Sequence, residues 1–141
     1  MTRVVFLCAH NDARSQMAEG FLRASGGDRF VAESAGTIAT AVHPLAVRAM
    51  REVGIDISAQ RSKSIEELAG PFDICVTVCD SSCPIPPRAG LRLRWRSADP
   101  ALARGTEDER LAAFRVVRDA IGGRVRALVT RLEAAGPAIA E

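Results

Sequence analysis

The stretch RVVFLCAHNDARS, Arg3 to Ser15, decides the fold. Arg3 to Cys8 is a short apolar run with β-branched residues, the pattern of a strand. A polar turn separates it from a helical pattern that starts at Ser15 and places Met17, Phe21 and Leu22 on one face as far as about Ser25. Where a strand hands over to a helix, free backbone N–H groups converge, and such a turn cradles an oxyanion. Cys8 sits at the base of that cradle, where the amides and the helix dipole stabilise a thiolate. Arg14 follows six residues later, so a loop wrapped around a tetrahedral anion returns a planar guanidinium that grips two oxygens at once. Ser15 can donate its hydroxyl to the Cys8 sulfur, and Asn11 tolerates the left-handed backbone that a tight anion loop needs. The candidate oxyanion-binding residues are Ala9, His10, Asn11, Asp12, Ala13 and Arg14.

Working outward, Gly26-Gly27 ends the first helix, and Phe30 to Glu33 reads as a second strand closing at Ser34-Ala35-Gly36. His43-Pro44 opens a helix expected to turn Leu45, Val47, Met50 and Val53 inward until Gly54, and Ser64 to Leu68 suggests a short further helix. The run FDICVTVC, 72–79, is nearly continuous in apolar residues, the signature of a strand buried on both faces of a parallel sheet. LRLRWR, 91–96, alternates with period two and predicts an edge strand with Leu91, Leu93 and Trp95 inside and its three arginines facing the other way. Thr106 to Glu109 forms a capping box that opens a long helix through Leu111, Phe114, Val117 and Ile121 to about Ala135, with Gly122-Gly123 as the place for a kink. Strands and helices in this order predict a doubly wound α/β domain with a four-stranded parallel sheet flanked by helices. Ligands on such sheets bind at the carboxyl ends of the strands.

The chain has 141 residues, 48% of them apolar, which suits one domain over 1–141 with one sizeable core. The four apolar residues before Cys8 are too few for a signal-peptide core, so a cytoplasmic protein is expected. In a reducing compartment Cys8, Cys75, Cys79 and Cys83 are read as catalytic, metal-binding or buried rather than as a structural staple. No C-x2-C or H-x3-H pair occurs, so no zinc site is expected. The net charge is only +2, and the regular alternation of Arg92, Arg94 and Arg96 favours a solvated face over a nucleic-acid site. Those arginines can instead steer anions or an acidic redox partner.

The C-x5-R-S pattern within the first residues resembles the phosphate-binding loop of the low-molecular-weight class of cysteine-dependent phosphatases. RSQMAEG (14–20), SAGT (34–37) and GIDIS (54–58) further resemble the thioredoxin-coupled arsenate reductase branch of that class, and the similarity runs over most of the chain. His10 departs from the pattern, where members often have Gly; it reads as an exposed residue. Asp99-Pro100 looks like the family's Asp-Pro acid, which protonates a leaving oxygen. Phosphatases of the class usually continue with aromatic residues. This chain has Ala101-Leu102 and no tyrosine at all, which suits a small oxyanion better than phosphotyrosine.

Cys79 follows the third strand and should emerge at the same sheet edge as Cys8. The resemblance implies a relay: arsenate reacts at Cys8, Cys79 attacks that sulfur and expels arsenite, Cys83 captures Cys79, and thioredoxin reduces the final disulfide. The three residues between Cys79 and Cys83 are fewer than thioredoxin-coupled members typically have. A four-residue separation can close a disulfide in a helical turn or compact loop but not along a strand, where the Cα atoms stand about 13 Å apart. The same limit leaves Cys75 as a buried apolar side chain. Potassium-binding relatives use residues equivalent to Asn11, Glu19 and Ser34 plus an acid where Lys63 stands, so a lysine ammonium is expected to replace the ion and no metal or cofactor to be required. The resemblance implies arsenate, with phosphate as mimic, and thioredoxin as partners. A monomer without nucleic acid or membrane is expected. A phosphatase using Cys8, Arg14 and Asp99, and a reductase coupled to a small thiol, stay open as alternatives.

Overall fold

The structure is a computed structural model that describes residues 1–79 and 87–135. Its strands are β1 (Thr2–Cys8), β2 (Phe30–Gly36), β3 (Phe72–Thr77) and β4 (Ala89–Arg94), and its helices are α1 (Arg14–Gly26), α2 (Pro44–Arg51) and α3 (Glu107–Ala135). The four strands form one parallel sheet in the order β2-β1-β3-β4. The chain leaves β1 toward β2 and then returns across the sheet to β3. That reversal puts the topological switch point between the carboxyl ends of β1 and β3, where open α/β sheets bind ligands.

One face of the sheet, through Val4, Phe6, Ile74 and Val76, packs under α1, α2 and α3 in a core that includes Met17, Leu22, Met50 and Phe114. The opposite face, through Val5, Leu7 and Cys75, is closed by Ile65 and Leu68 from a single 3-10 turn, Ile65–Glu67. Ser64 to Leu68 therefore yields one turn, opened by a reciprocal capping box between Ser64 and Glu67. Each large side chain fully buried in this way contributes about 1.5–3 kcal/mol.

Three expectations are corrected. Val53 does not turn inward but is 43% exposed. α2 ends in a Schellman arrangement, with Ile55 N–H on the Met50 carbonyl, Gly54 N–H on the Arg51 carbonyl and Gly54 at φ +80°, which swings Val53 out of the helical face. Leu91 is 44% exposed, because β4 is an edge strand and cover from the helices reaches only Leu93 and Trp95. Gly122-Gly123 does not interrupt α3, which runs unbroken. A Cβ at Gly122 would meet the Phe21 ring at 2.7 Å, so this glycine lets α3 lie close on α1. The Thr106–Glu109 capping box forms as expected, each residue's backbone N–H bonded to the other's side chain at 3.1 Å.

Candidate active site

Cys8 ends β1 fully buried with a free thiol, and the six residues to Arg14 turn the chain into α1. The loop's carbonyls are tied outward one after another. Ala9 C=O accepts from Ile38 N–H at 3.2 Å, and His10 C=O from the hydroxyls of Thr40 and Ser62. Asn11 C=O accepts from Gln16 Nε2 at 3.1 Å and Asp12 C=O from His43 N–H at 2.8 Å. In a trans peptide the next N–H points opposite to the carbonyl. Holding four carbonyls outward therefore turns the amides of His10, Asn11, Asp12 and Ala13 inward, an arrangement that can take up an anion. Asn11 takes φ +51°, the left-handed conformation the turn requires. Gly36 lies so close beneath that a Cβ there would stand 2.7–2.9 Å from Asn11 N and the carbonyl oxygens of Ala9 and Cys8.

The neighbours of Ser15 leave its proton available to the sulfur. Asn11 Oδ1 accepts from the Lys63 backbone N–H at 2.8 Å, which fixes the amide so that Asn11 Nδ2 donates to Ser15 Oγ at 2.8 Å. Ser15 Oγ thus accepts from Asn11, and its own proton is available to Cys8 Sγ, 2.8 Å away. A hydroxyl aimed at the sulfur stabilises a thiolate.

Arg14 is buried, and one guanidinium nitrogen donates to Ser97 C=O at 2.8 Å while another lies 3.7 Å from Asp99 Oδ2. Asp99 Oδ1 accepts from Ala101 N–H at 3.0 Å, so the carboxyl caps the turn Pro100–Leu102 and faces the arginine. Segments more than eighty residues apart thereby meet over the loop. Cys79 lies two residues beyond the end of β3, and Val78 N–H donates to Leu7 C=O at 2.9 Å, which sets Cys79 beside the end of β1. Cys79 is disulfide-bonded, whereas Cys8 and Cys75 are free. Cys83 lies outside the described residues. Cys75 is buried within β3, and burial pushes its thiol up to about 11 against the opposing pull of Arg92.

Residues 3–138 match the family described as low molecular weight phosphotyrosine protein phosphatase. The chain belongs to that family. It is 46% identical over 127 residues to an arsenate reductase of Halalkalibacterium halodurans, covering 87% of this chain and 91% of that protein. Among solved structures, an arsenate reductase in the phosphate binding state superposes with a TM-score of 0.82 at 35% identity, covering 93% of this chain and 98% of that one. Two further likenesses differ in the reductant they name. A glutaredoxin arsenate reductase of Synechocystis is 35% identical over 94% of this chain and 99% of its own. A Corynebacterium glutamicum thioredoxin-dependent arsenate reductase is 27% identical with a TM-score of 0.72, covering 96% of this chain and 63% of that one.

Within this phosphatase-family chain the sequence reading located the loop but missed what braces it. Thr40, Ser62, Gln16 and Gln60 hold the loop from outside, and no local pattern marks them. Thr40, Ser62 and Gln60 act through contacts at long sequence separation, whereas Gln16 reaches Asn11 five residues back. Glu19 is buried, accepts from Ser34 Oγ at 2.6 Å and pairs with Arg23 at 2.7 Å. The cation at Glu19 is therefore Arg23; Lys63, the expected one, points its Nζ to Arg61 C=O at 3.5 Å on the surface. His43 was read only as the opening of a helix. Its Nδ1 accepts from Leu45 N–H at 3.1 Å, its ring packs 4.7 Å from Phe114, and its N–H anchors Asp12. Burial holds His43 below the usual histidine range and Arg110 adds to this, while Asp12 and Asp99 oppose it. His10, the departure from the family pattern, is exposed as expected. Among the described residues no cluster suited to a metal ion occurs and no helix is long and apolar enough to cross a membrane.

Proposed function

We propose that the chain reduces arsenate to arsenite through a relay of Cys8, Cys79 and Cys83. The observation that supports the relay is the bond from Val78 N–H to Leu7 C=O, after which the chain enters Cys79 next to the end of the strand that Cys8 closes. A phosphatase has no use for that second thiol. Arsenate sits in the nest of His10 to Ala13 amides with the Arg14 guanidinium on two of its oxygens. The Cys8 thiolate, held by Ser15, attacks arsenic, and Asp99 protonates the oxygen that leaves as water. Cys79 thiolate then attacks the Cys8 sulfur. The S–As bond breaks, its electron pair stays on arsenic, and arsenite departs as As(III) while Cys8 and Cys79 join in a disulfide. Cys83 attacks Cys79, frees Cys8 and leaves a disulfide for an external dithiol, taken as thioredoxin. Two thiols lose the two electrons that arsenic gains.

The strand-geometry obstacle does not apply to Cys79, because β3 ends at Thr77. The test is arsenate-dependent NADPH oxidation with thioredoxin and thioredoxin reductase, comparing wild type with Cys79→Ser and Cys83→Ser. Turnover confined to the wild type supports the relay. Undiminished turnover in Cys79→Ser refutes it, and turnover only with glutaredoxin and glutathione moves the proposal to the small-thiol route.

A further inference from the structure

β4 and the residue pair that follows it carry Arg92, Arg94 and Arg96 at every second position, on a strand with a neighbour on only one side. All three are exposed, as is Arg88, and among the described residues none of the four forms an ion pair. Arginines on other faces, Arg3, Arg23, Arg48 and Arg115 among them, are matched to carboxylates. No acidic residue occurs from 88 to 98, so the stripe is one sign of charge throughout.

Its position ties it to the redox end of the sheet. Arg94 is level with Thr77 in the β3–β4 register, Trp95 N–H donates to Thr77 C=O at 2.8 Å, and Cys79 stands two residues beyond. At about 3.3 Å per residue the backbone from Arg92 to Arg96 spans roughly 13 Å along the approach to that cysteine. Ser97, directly after the stripe, holds Arg14 of the anion loop.

We propose that this stripe is the docking surface for the protein dithiol that regenerates the enzyme, and that the partner presents an acidic face to it. The proposal rests on the reductase reading above. The partner's thiolate attacks the disulfide that holds Cys79, that S–S bond breaks, and a mixed disulfide forms. The partner's second thiol then displaces this chain, which leaves with both of its thiols restored while the partner departs as a disulfide. Two electrons and two protons pass from the partner. A patch of unpaired charge beside the scissile disulfide raises the encounter rate with an oppositely charged protein, and the gain falls with ionic strength.

The experiment varies thioredoxin of net negative charge at saturating arsenate, at ionic strengths of about 0.02 M and 0.5 M, which shrink the screening length severalfold. The variants are R92E/R94E/R96E and R92Q/R94Q/R96Q. At low salt kcat/KM for thioredoxin is expected to fall at least tenfold in the glutamate variant and less in the glutamine variant, with the differences closing at high salt. KM for arsenate and turnover driven by dithiothreitol stay as in wild type. Unchanged kcat/KM for thioredoxin at low salt overturns the proposal, and so does an equal loss with dithiothreitol, which marks the arginines as structural. A wild type that reduces no arsenate even with dithiothreitol overturns the reductase reading and this surface with it.

Discussion

Replacing Ser15 by alanine separates the chemical from the structural work of one buried hydroxyl. In the native site Asn11 Nδ2 donates to Ser15 Oγ, and the Ser15 hydroxyl pairs with Cys8 Sγ, to which the proposed reaction has it donate, both at 2.8 Å and both away from water. Ser15→Ala removes the hydrogen bond that the attacking thiolate receives in the proposed reaction, an interaction to a charged group typically about 1.5–3 kcal/mol. With each 1.36 kcal/mol a factor of ten, kcat/KM for arsenate should fall about 10- to 150-fold. The same change leaves Asn11 Nδ2 without its acceptor, a stability cost of about 1–3 kcal/mol. For a chain of this length that lowers Tm by roughly 3–10 °C. The assays are steady-state arsenate reduction driven by dithiothreitol and thermal unfolding followed by circular dichroism, both on the reduced protein. A lowered Tm with kcat/KM within twofold of wild type refutes the proton assignment, because the hydroxyl then only satisfies Asn11.

Three further outcomes are expected. Gly123→Ala should stabilise by about 0.8–1 kcal/mol through helix propensity, since a Cβ there meets nothing within 4 Å, whereas Gly122→Ala drives a methyl to 2.7 Å from the Phe21 ring and should give a lower Tm than Gly123→Ala; equal Tm shifts count against the close packing of α1 on α3. His43 is held below its unfolded value of about 6.5, so as pH falls through that value the unfolded chain takes up a proton that the folded chain resists, and stability declines on the acid side while staying full above it; Tm at pH 7.5 and 5.5 reads this, and His43→Asn, which keeps a capping side chain, should flatten the slope. Arg23 already supplies the positive charge at Glu19, so replacing sodium by potassium should leave turnover unchanged, and strong activation by potassium would sink that assignment.

Much of the fold is legible in the sequence because its signals are local. The apolar run from Val4 to Leu7 makes a central strand, the helical spacing of Met17, Phe21 and Leu22 makes α1, and the Thr106–Glu109 box starts α3. These patterns act through neighbours a few residues away, so they survive without knowledge of the rest. Leu91 and Val53 were misread for the same reason: alternation and periodicity state which side a residue faces, not whether anything covers that side. Cover is a property of the edge position of β4 and of the Gly54 turn.

For the candidate site, the sequence by itself determined that Cys8, the turn after it and Arg14 lie together, because Cys8 to Ser15 is one continuous turn between a strand and a helix. Only the tertiary structure decided what surrounds them. The strand order β2-β1-β3-β4 carries the chain into Cys79 next to the end of β1, and folding of the 97–101 segment sets Asp99 against Arg14. Ile38, Thr40, Ser62 and His43 hold the loop carbonyls outward from positions about 30 to 50 residues away along the chain, and Arg23 rather than Lys63 meets Glu19. Hydrogen bonds and ion pairs act over a few ångströms of space and carry no trace of the length of chain between their partners. Their choice among many possible partners is therefore made by packing, after the strands have fixed who is near whom.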